Sequence, residues 1–509
     1  MKNKKVLRSL IAQASVLAIL LVGLCAAPSK SSLTDSMPSD QVTLPGVHGA
    51  ANNTVYARDR YIIVAPFAPS VDIGEGDDLA KLDNHFLYLF DTRKPGSQPK
   101  FTDLKIHFPT KVVFDPETGN VFVHGTEFVE VGPGQFETRA VIAHTHLNFE
   151  ADGKPSFGLD SVVPIHIPGL GSEFASEAPT DIALAYGGRI LVFTNGHSVF
   201  TYNVSNGAIY SVGIDSKPDN KVSFLDIDEV SNTVIAATSR RIEGAEGGVK
   251  YTSDLYFIRL DKDGTLNTIK RLLPEHFGEG VFLSAGSNAA VSSDPITGAP
   301  EFGYFVTNNG GVCQVDLRAR EESTTGVLEQ IALLPEMAQD EGLEPGPVSV
   351  RFDRSRKMIT VVKQGGFLRI RIPSFVERGG RIRIPSFTQF PGSASIAVIQ
   401  LNKKNRVIGQ RIFDRPFGKE NRISNMVAGQ SGVGLISTHS GRIFAVDTSV
   451  SLDRVGVNPV GEMGSRIDRI AYSAGRQSLT AIVSYTVNGD SQGMLPGSIL
   501  FAKVTLNAD

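Results

Sequence analysis

A chain of 509 residues, 41% hydrophobic and 20% charged, has enough apolar side chains for a large core, which excludes a disordered polymer. A formal charge of −3 excludes the strongly basic surface that nucleic acid selects. With only two cysteines, one of them in the N-terminal apolar stretch, a disulfide framework is excluded as well.

The chain opens with Lys2, Lys4, Lys5 and Arg8, then a mostly apolar stretch over 10–24, then Ala26 and Ala27. That order reads as an export signal over 1–27, too short for the about 20 residues of a spanning helix. Acylation of Cys25 is the alternative, but such a cysteine follows a small residue and here it follows Leu24. Loss of the four cations takes the charge from −3 to −7. The expected location is outside the cytoplasm: periplasm, cell surface or medium. Residues 28–45, rich in Ser, Pro and Asp, read as a flexible linker, and 46–509 as the folded domain.

From there the chain is a succession of short apolar runs between turn signals. Tyr61-Ile-Ile-Val64, Ile190-Leu-Val-Phe193, Val234-Ile-Ala-Ala237, Met358-Ile-Thr-Val-Val362 and Leu479-Thr-Ala-Ile-Val483 are β-branched and nearly continuous. Such runs predict strands covered on both faces. The best helical candidate is 77–84.

A larger unit recurs. Lys111-Val-Val-Phe-Asp-Pro-Glu-Thr-Gly-Asn-Val-Phe-Val123 reads as strand, tight turn, strand. Val291-Ser-Ser-Asp-Pro-Ile-Thr-Gly298 followed by Phe302-Gly-Tyr-Phe-Val306 repeats it. Asp bonds the turn backbone, Pro presets φ, and Gly supplies positive φ. Looser versions lie near 181, 224, 348 and 467. The Asp-Pro-x-Thr-Gly turn before a Val/Phe-rich strand resembles the repeats of YVTN-type, WD40-like β-propellers. That resemblance implies an all-β propeller and says nothing specific about activity. The Tyr-Val-Thr-Asn strand itself is absent, and the chain has no Trp.

Unit starts fall near 52, 109, 179, 221, 288, 347, 422 and 466. They predict about eight four-stranded blades, or seven if one unit is an insertion. The last unit has three strands of its own, and Gln41-Val-Thr-Leu-Pro45 is placed to supply the fourth and close the ring. Two β-sandwich domains are the alternative architecture.

Few residues advertise chemistry. There is no haem-attachment motif, no Gly-rich phosphate loop with Lys and no Gly-x-Ser-x-Gly elbow, so no cofactor is expected. His144 and His146 share one face of a strand, with His124 and His166 nearby in sequence. No carboxylate has matching spacing, so they read as solvent-facing strand histidines and no metal is assigned. Asp261-Lys-Asp-Gly-Thr265 lacks the distal ligands of a calcium loop and reads as a hairpin turn.

The most unusual segment repeats Arg369-Ile-Arg-Ile-Pro-Ser-Phe375 at 381–387. Between 351 and 383 the chain has ten Lys/Arg against Asp353 and Glu377. Arg369, Arg371, Arg381 and Arg383 are therefore candidates for an anion-binding stripe on a protruding hairpin or outer strand. Partners of that chemistry are an acidic polysaccharide, a lipid head group or an acidic protein surface. The function expected is a monomeric, non-catalytic binding or scaffold module that uses loops on one propeller face. The alternative is a lactonase-like hydrolase with its site in the central channel.

Overall fold

Continuous apolar runs with turn residues every five to ten positions leave strands stacked face to face, and the computed structural model of the chain is all-β. It describes residues 32–33, 40–48, 53–57, 60–65, 86–91, 93–94, 100–133, 135–149, 155–157, 163–166, 181–214, 222–243, 249–318, 328–339, 343–370, 375–377, 380–382, 387–389, 392–418, 423–428, 432–438, 440–462, 469–473, 478–483 and 496–505. The predicted export signal and the helical candidate at 77–84 lie outside the described residues.

Among the described residues, eight antiparallel sheets of four or five strands follow one another along the chain. Their first strands are Asn53–Ala57, His107–Phe114, Ile182–Ala185, Val222–Asp228, Ala290–Ser293, Val348–Asp353, Ile423–Ala428 and Arg469–Ser473. Each begins within three residues of a unit start read from the sequence. First strands of successive sheets lie against one another at most junctions, and the first strand of the eighth sheet returns to that of the first. The sheets are thus the blades of a closed propeller, with first strands around the axis.

Hydrophobic layers fill the spaces between blades. Phe122, Ile142, Leu191 and Phe193 join the second sheet to the third. Ile235, Phe257, Val291 and Phe305 join the fourth to the fifth, and Met358, Ile396, Ile436 and Phe444 the sixth to the seventh.

The eighth sheet closes as the sequence suggested. Asp40–His48 pairs with the last strand, Pro496–Thr505, placing Gln41 opposite Leu500 and Val42 opposite Ile499. Ser32–Leu33 pairs further along the same strand. The span read as a linker to residue 45 therefore supplies strand at Ser32–Leu33 and from Asp40 onward. The physical reason is that closure satisfies an edge that would otherwise be unpaired.

Candidate functional site

Antiparallel order puts the turns between first and second strands at one end of the ring, and the connections between second and third strands at the other. The first end is built from the Asp turns. In the second sheet, Asp115 Oδ1 accepts the Glu117 N–H at 3.0 Å, Oδ2 accepts the Thr118 N–H at 2.9 Å, and the Thr118 hydroxyl also donates to it. In the fifth, Asp294 Oδ1 accepts from the Ile296 and Thr297 N–H groups at 2.9 and 2.7 Å. Bonds from Thr297 hold its carboxyl below the usual range. Gly119 and Gly298 sit at φ +82° and +71°, as the motif requires. Asp353 and Asp228 fold the equivalent turns of the sixth and fourth sheets, accepting the Ser355 and Ser231 N–H groups.

The opposite end is different. In the second sheet the second and third strands, Asn120–Gly132 and Gln135–Phe149, pair far beyond the end of the first strand's ladder. In the fourth, Arg240–Glu243 pairs with Val249–Thr252 and continues the ladder of Thr233–Thr238 with Leu255–Leu260 in the same register. In the sixth, Leu368–Ile370 pairs with Phe387–Gln389 and Phe375–Glu377 with Gly380–Ile382, one residue out of register with the ladder below. Three alternate sheets therefore send hairpins past the same end of the ring. The corresponding connections of the third and fifth sheets, 195–197 and 307–310, are short. We call this the crown end.

The predicted arginine stripe falls on the sixth-sheet hairpin. Arg369 stands opposite Thr388 and Arg381 opposite Val376, while the two repeats face each other with Ile370 opposite Phe387 and Phe375 opposite Ile382. Arg371 and Arg383 lie outside the described residues.

His144 and His146 do not stand free in solvent, and this corrects the sequence reading. His144 and His146 are half-buried, and both turn toward the Asn120 side-chain oxygen, at 3.0 and 3.5 Å. The His144 ring stacks on Phe122 at 4.4 Å. Burial, and then His146, push its pKa down. His124 is buried and pushed down to about 4 by desolvation, against a smaller opposing pull from Asp181. His166 instead lies 3.7 Å from Glu127. Among the described residues no three His, Cys, Asp or Glu side chains converge as a metal site. The 261–265 segment is a hairpin turn: the Asp261 N–H donates to the Thr265 carbonyl at 2.9 Å, and Gly264 takes φ +102°.

The channel holds residues the sequence reading missed. Lys111 forms an ion pair with Asp181 from the next sheet. Asp226, on the first strand of the fourth sheet, is open to water yet surrounded by protein. Desolvation raises its pKa. The Ile227 N–H bond, Lys111 and Arg351 oppose that shift, and Asp181 adds to it. Lys111, Asp226 and Arg351 stand on the first strands of the second, fourth and sixth sheets, and Asp181 directly precedes that of the third. Arg351 donates to the Met426 carbonyl at 2.7 Å and is pushed down by burial, against the pull of Asp226. Beyond these residues, Arg354 forms an ion pair with Asp228, tying the sixth sheet to the fourth at the turn end of the channel. The signal was a charge inside the first strands of the second, fourth and sixth sheets and just before that of the third.

No family model matches the chain, and no curated protein matches its sequence. Solved structures similar to it include that of U3-55K, 10% identical over 92% of this chain and 99% of its own, with a TM-score of 0.41. The WD40 repeats of RRP9 are 10% identical over 93% and 100%, with a TM-score of 0.41. YCF48 from Cyanidioschyzon merolae is 10% identical over 91% and 98%, with a TM-score of 0.39.

Proposed function

We propose that this chain is an exported, non-catalytic binding module that engages a protein with an acidic surface through its crown end. The observation that carries the reading is the elaboration of one end: among the described residues, hairpins extend from alternate sheets there, while the turns from first to second strands at the other are tight. Three prongs spaced around a ring suit a folded partner that seats between them better than a flexible chain. The sixth-sheet hairpin adds the charge, since residues 368–389 hold five arginines against the single acidic residue Glu377 in an otherwise acidic chain. Its arginines, Arg369, Arg371, Arg381 and Arg383, are the anion-recognising groups of this reading. Export rests on the cationic start and short apolar stretch of residues 1–27.

The test is a photo-crosslinking side chain placed at Val131 on the crown, 56% exposed, or at Ile296 on the turn end, 91% exposed. In the cell that makes the protein, the substituted Val131 position is expected to give an adduct of one defined mass, and the Ile296 position none. Adducts only from position 296, or from neither, contradict the proposal. Export is checked separately by N-terminal sequencing, with a start expected between residues 26 and 32; an intact Met1 contradicts it.

A further inference from the structure

A cavity of about 210 Å³ opens between the sixth and seventh sheets near the turn end. Met426 and Val446 give it apolar wall, and both belong to the hydrophobic layer that joins these two sheets. Gly432, at its edge, is exposed, so the cavity reaches solvent there. Among the described residues that line it, Arg351 is the one cation. Its guanidinium donates to the Met426 carbonyl at 2.7 Å, a bond that crosses from one sheet to the other and fixes the group at the cavity wall. That is its one hydrogen bond among the described residues, and it forms no ion pair there. A guanidinium has five N–H donors in a planar fork, so most of them are unspent. Asp353 lines the same cavity, but its carboxylate is committed elsewhere. Oδ1 accepts the Ser355 N–H and hydroxyl at 2.9 and 2.7 Å, and Oδ2 accepts the Thr448 hydroxyl at 3.1 Å. A half-buried cation without a bonded anion carries a desolvation cost that a bound carboxylate offsets. The fork takes a carboxylate in bidentate fashion, and the apolar wall suits a hydrocarbon body behind it. A cavity of roughly 150 Å³ holds one benzene ring, so the body that fits here is of about that size.

We propose that the cavity between the sixth and seventh sheets binds a small monocarboxylate with an apolar body of about six carbons, its carboxylate on Arg351. This site is separate from the protein-binding crown, and either can stand without the other. Gly434 gives the means to close it. A Cβ there meets only the Val446 carbonyl at 3.8 Å and the Met426 sulfur at 4.0 Å, both in the cavity wall, so a side chain at 434 fills the space without forcing the backbone.

The experiment is calorimetric titration of the purified full-length protein with benzoate and hexanoate. Benzamide and hexanamide keep the body without the charge, and inorganic phosphate keeps a charge without the body. At least one carboxylate is expected to bind with a sub-millimolar Kd, and its amide and phosphate each at least tenfold more weakly. Arg351→Gln and Gly434→Val are each expected to weaken binding at least tenfold, one by removing the fork and the other by filling the cavity. The melting temperature of Gly434→Val is expected not to fall, since valine suits a strand. The ligand series tests both contacts on the unmutated protein, whatever the variants do to folding. Absence of binding by both carboxylates overturns the proposal. So does an amide or phosphate that binds as tightly as the carboxylate, or carboxylate binding that survives either substitution in folded protein.

Discussion

The two ends of the ring are made from the same strands and held in different ways. At the turn end the loops of the second, fourth, fifth and sixth sheets are folded by their own carboxylates, and several loops also touch the next sheet. Gly188, in the turn of the third sheet at φ +74°, lies so close to Asp115 of the second that an added methyl would overlap that carboxyl. The Asn203 amide donates to the Asp263 carbonyl at 3.2 Å, from the third sheet to the fourth. The Thr448 hydroxyl donates to Asp353 at 3.1 Å, from the seventh sheet to the sixth. At the crown end the hairpins satisfy their backbone within their own ladders. The lesson is that the turn end locks sheet to sheet, while the crown prongs can change without loosening the ring.

Substitutions can break that comparison, and the largest effect is expected at Gly188. Gly188→Ala places a side chain at positive φ and forces the Asp115 turn apart, at a cost of about 4 kcal/mol. Urea unfolding at neutral pH checks this, and a loss below about 1 kcal/mol would show that the turn end does not lock the ring.

Next in size is a pH effect at the root of the second-sheet prong. His124 titrates near 4 when folded, against about 6.5 unfolded. The folded form is the weaker proton binder, so stability is full above about pH 6.5 and falls as pH drops toward 4, by about 3 kcal/mol in all. His124→Gln removes the titration. Urea midpoints at pH 7.5 and 4.5 should therefore converge in the variant relative to the unmutated protein. An unchanged gap would assign the acid sensitivity to other groups.

Asp115→Ala should cost about 1–2 kcal/mol, because it strands two turn N–H groups beside the third sheet. Asp294→Ala, in the same motif but less buried than Asp115, should cost clearly less in the same urea assay. Equal losses would mean that the motif acts only within its own turn and not between sheets.

Much of this fold is legible in the sequence because turn chemistry is local. Asp115, Pro116, Thr118 and Gly119 specify their turn within five residues, and the repeat at Asp294 confirms the period. Closure by Gln41 and Val42 is legible because the last unit is one strand short. The crown is legible only at the arginine repeat, where a protruding hairpin is expected; Arg240–Glu243 looks like an ordinary strand, and only pairing reveals that it prolongs a ladder. The shared face of His144 and His146 follows from alternation. What that face meets is Asn120, set by a strand pairing more than twenty residues away. The channel charges are hidden for a related reason. Ladder shifts beside Lys111 and between Val222 and Phe224 defeat simple alternation, so Asp226 cannot be aimed from sequence.

The smallest expected effect tests the central claim, that the ring is independent of its crown. Residues 127–139, 241–251 and 368–389 would each be replaced by a two-residue Asn-Gly turn, returning the three ladders to the length of the short connections. Urea unfolding of this variant should give a stability within about 1 kcal/mol of the unmutated protein, as expected for changes outside the core. Failure to fold, or a loss above about 3 kcal/mol, would show that the prongs hold the ring together and contradict the division between a structural end and a recognition end.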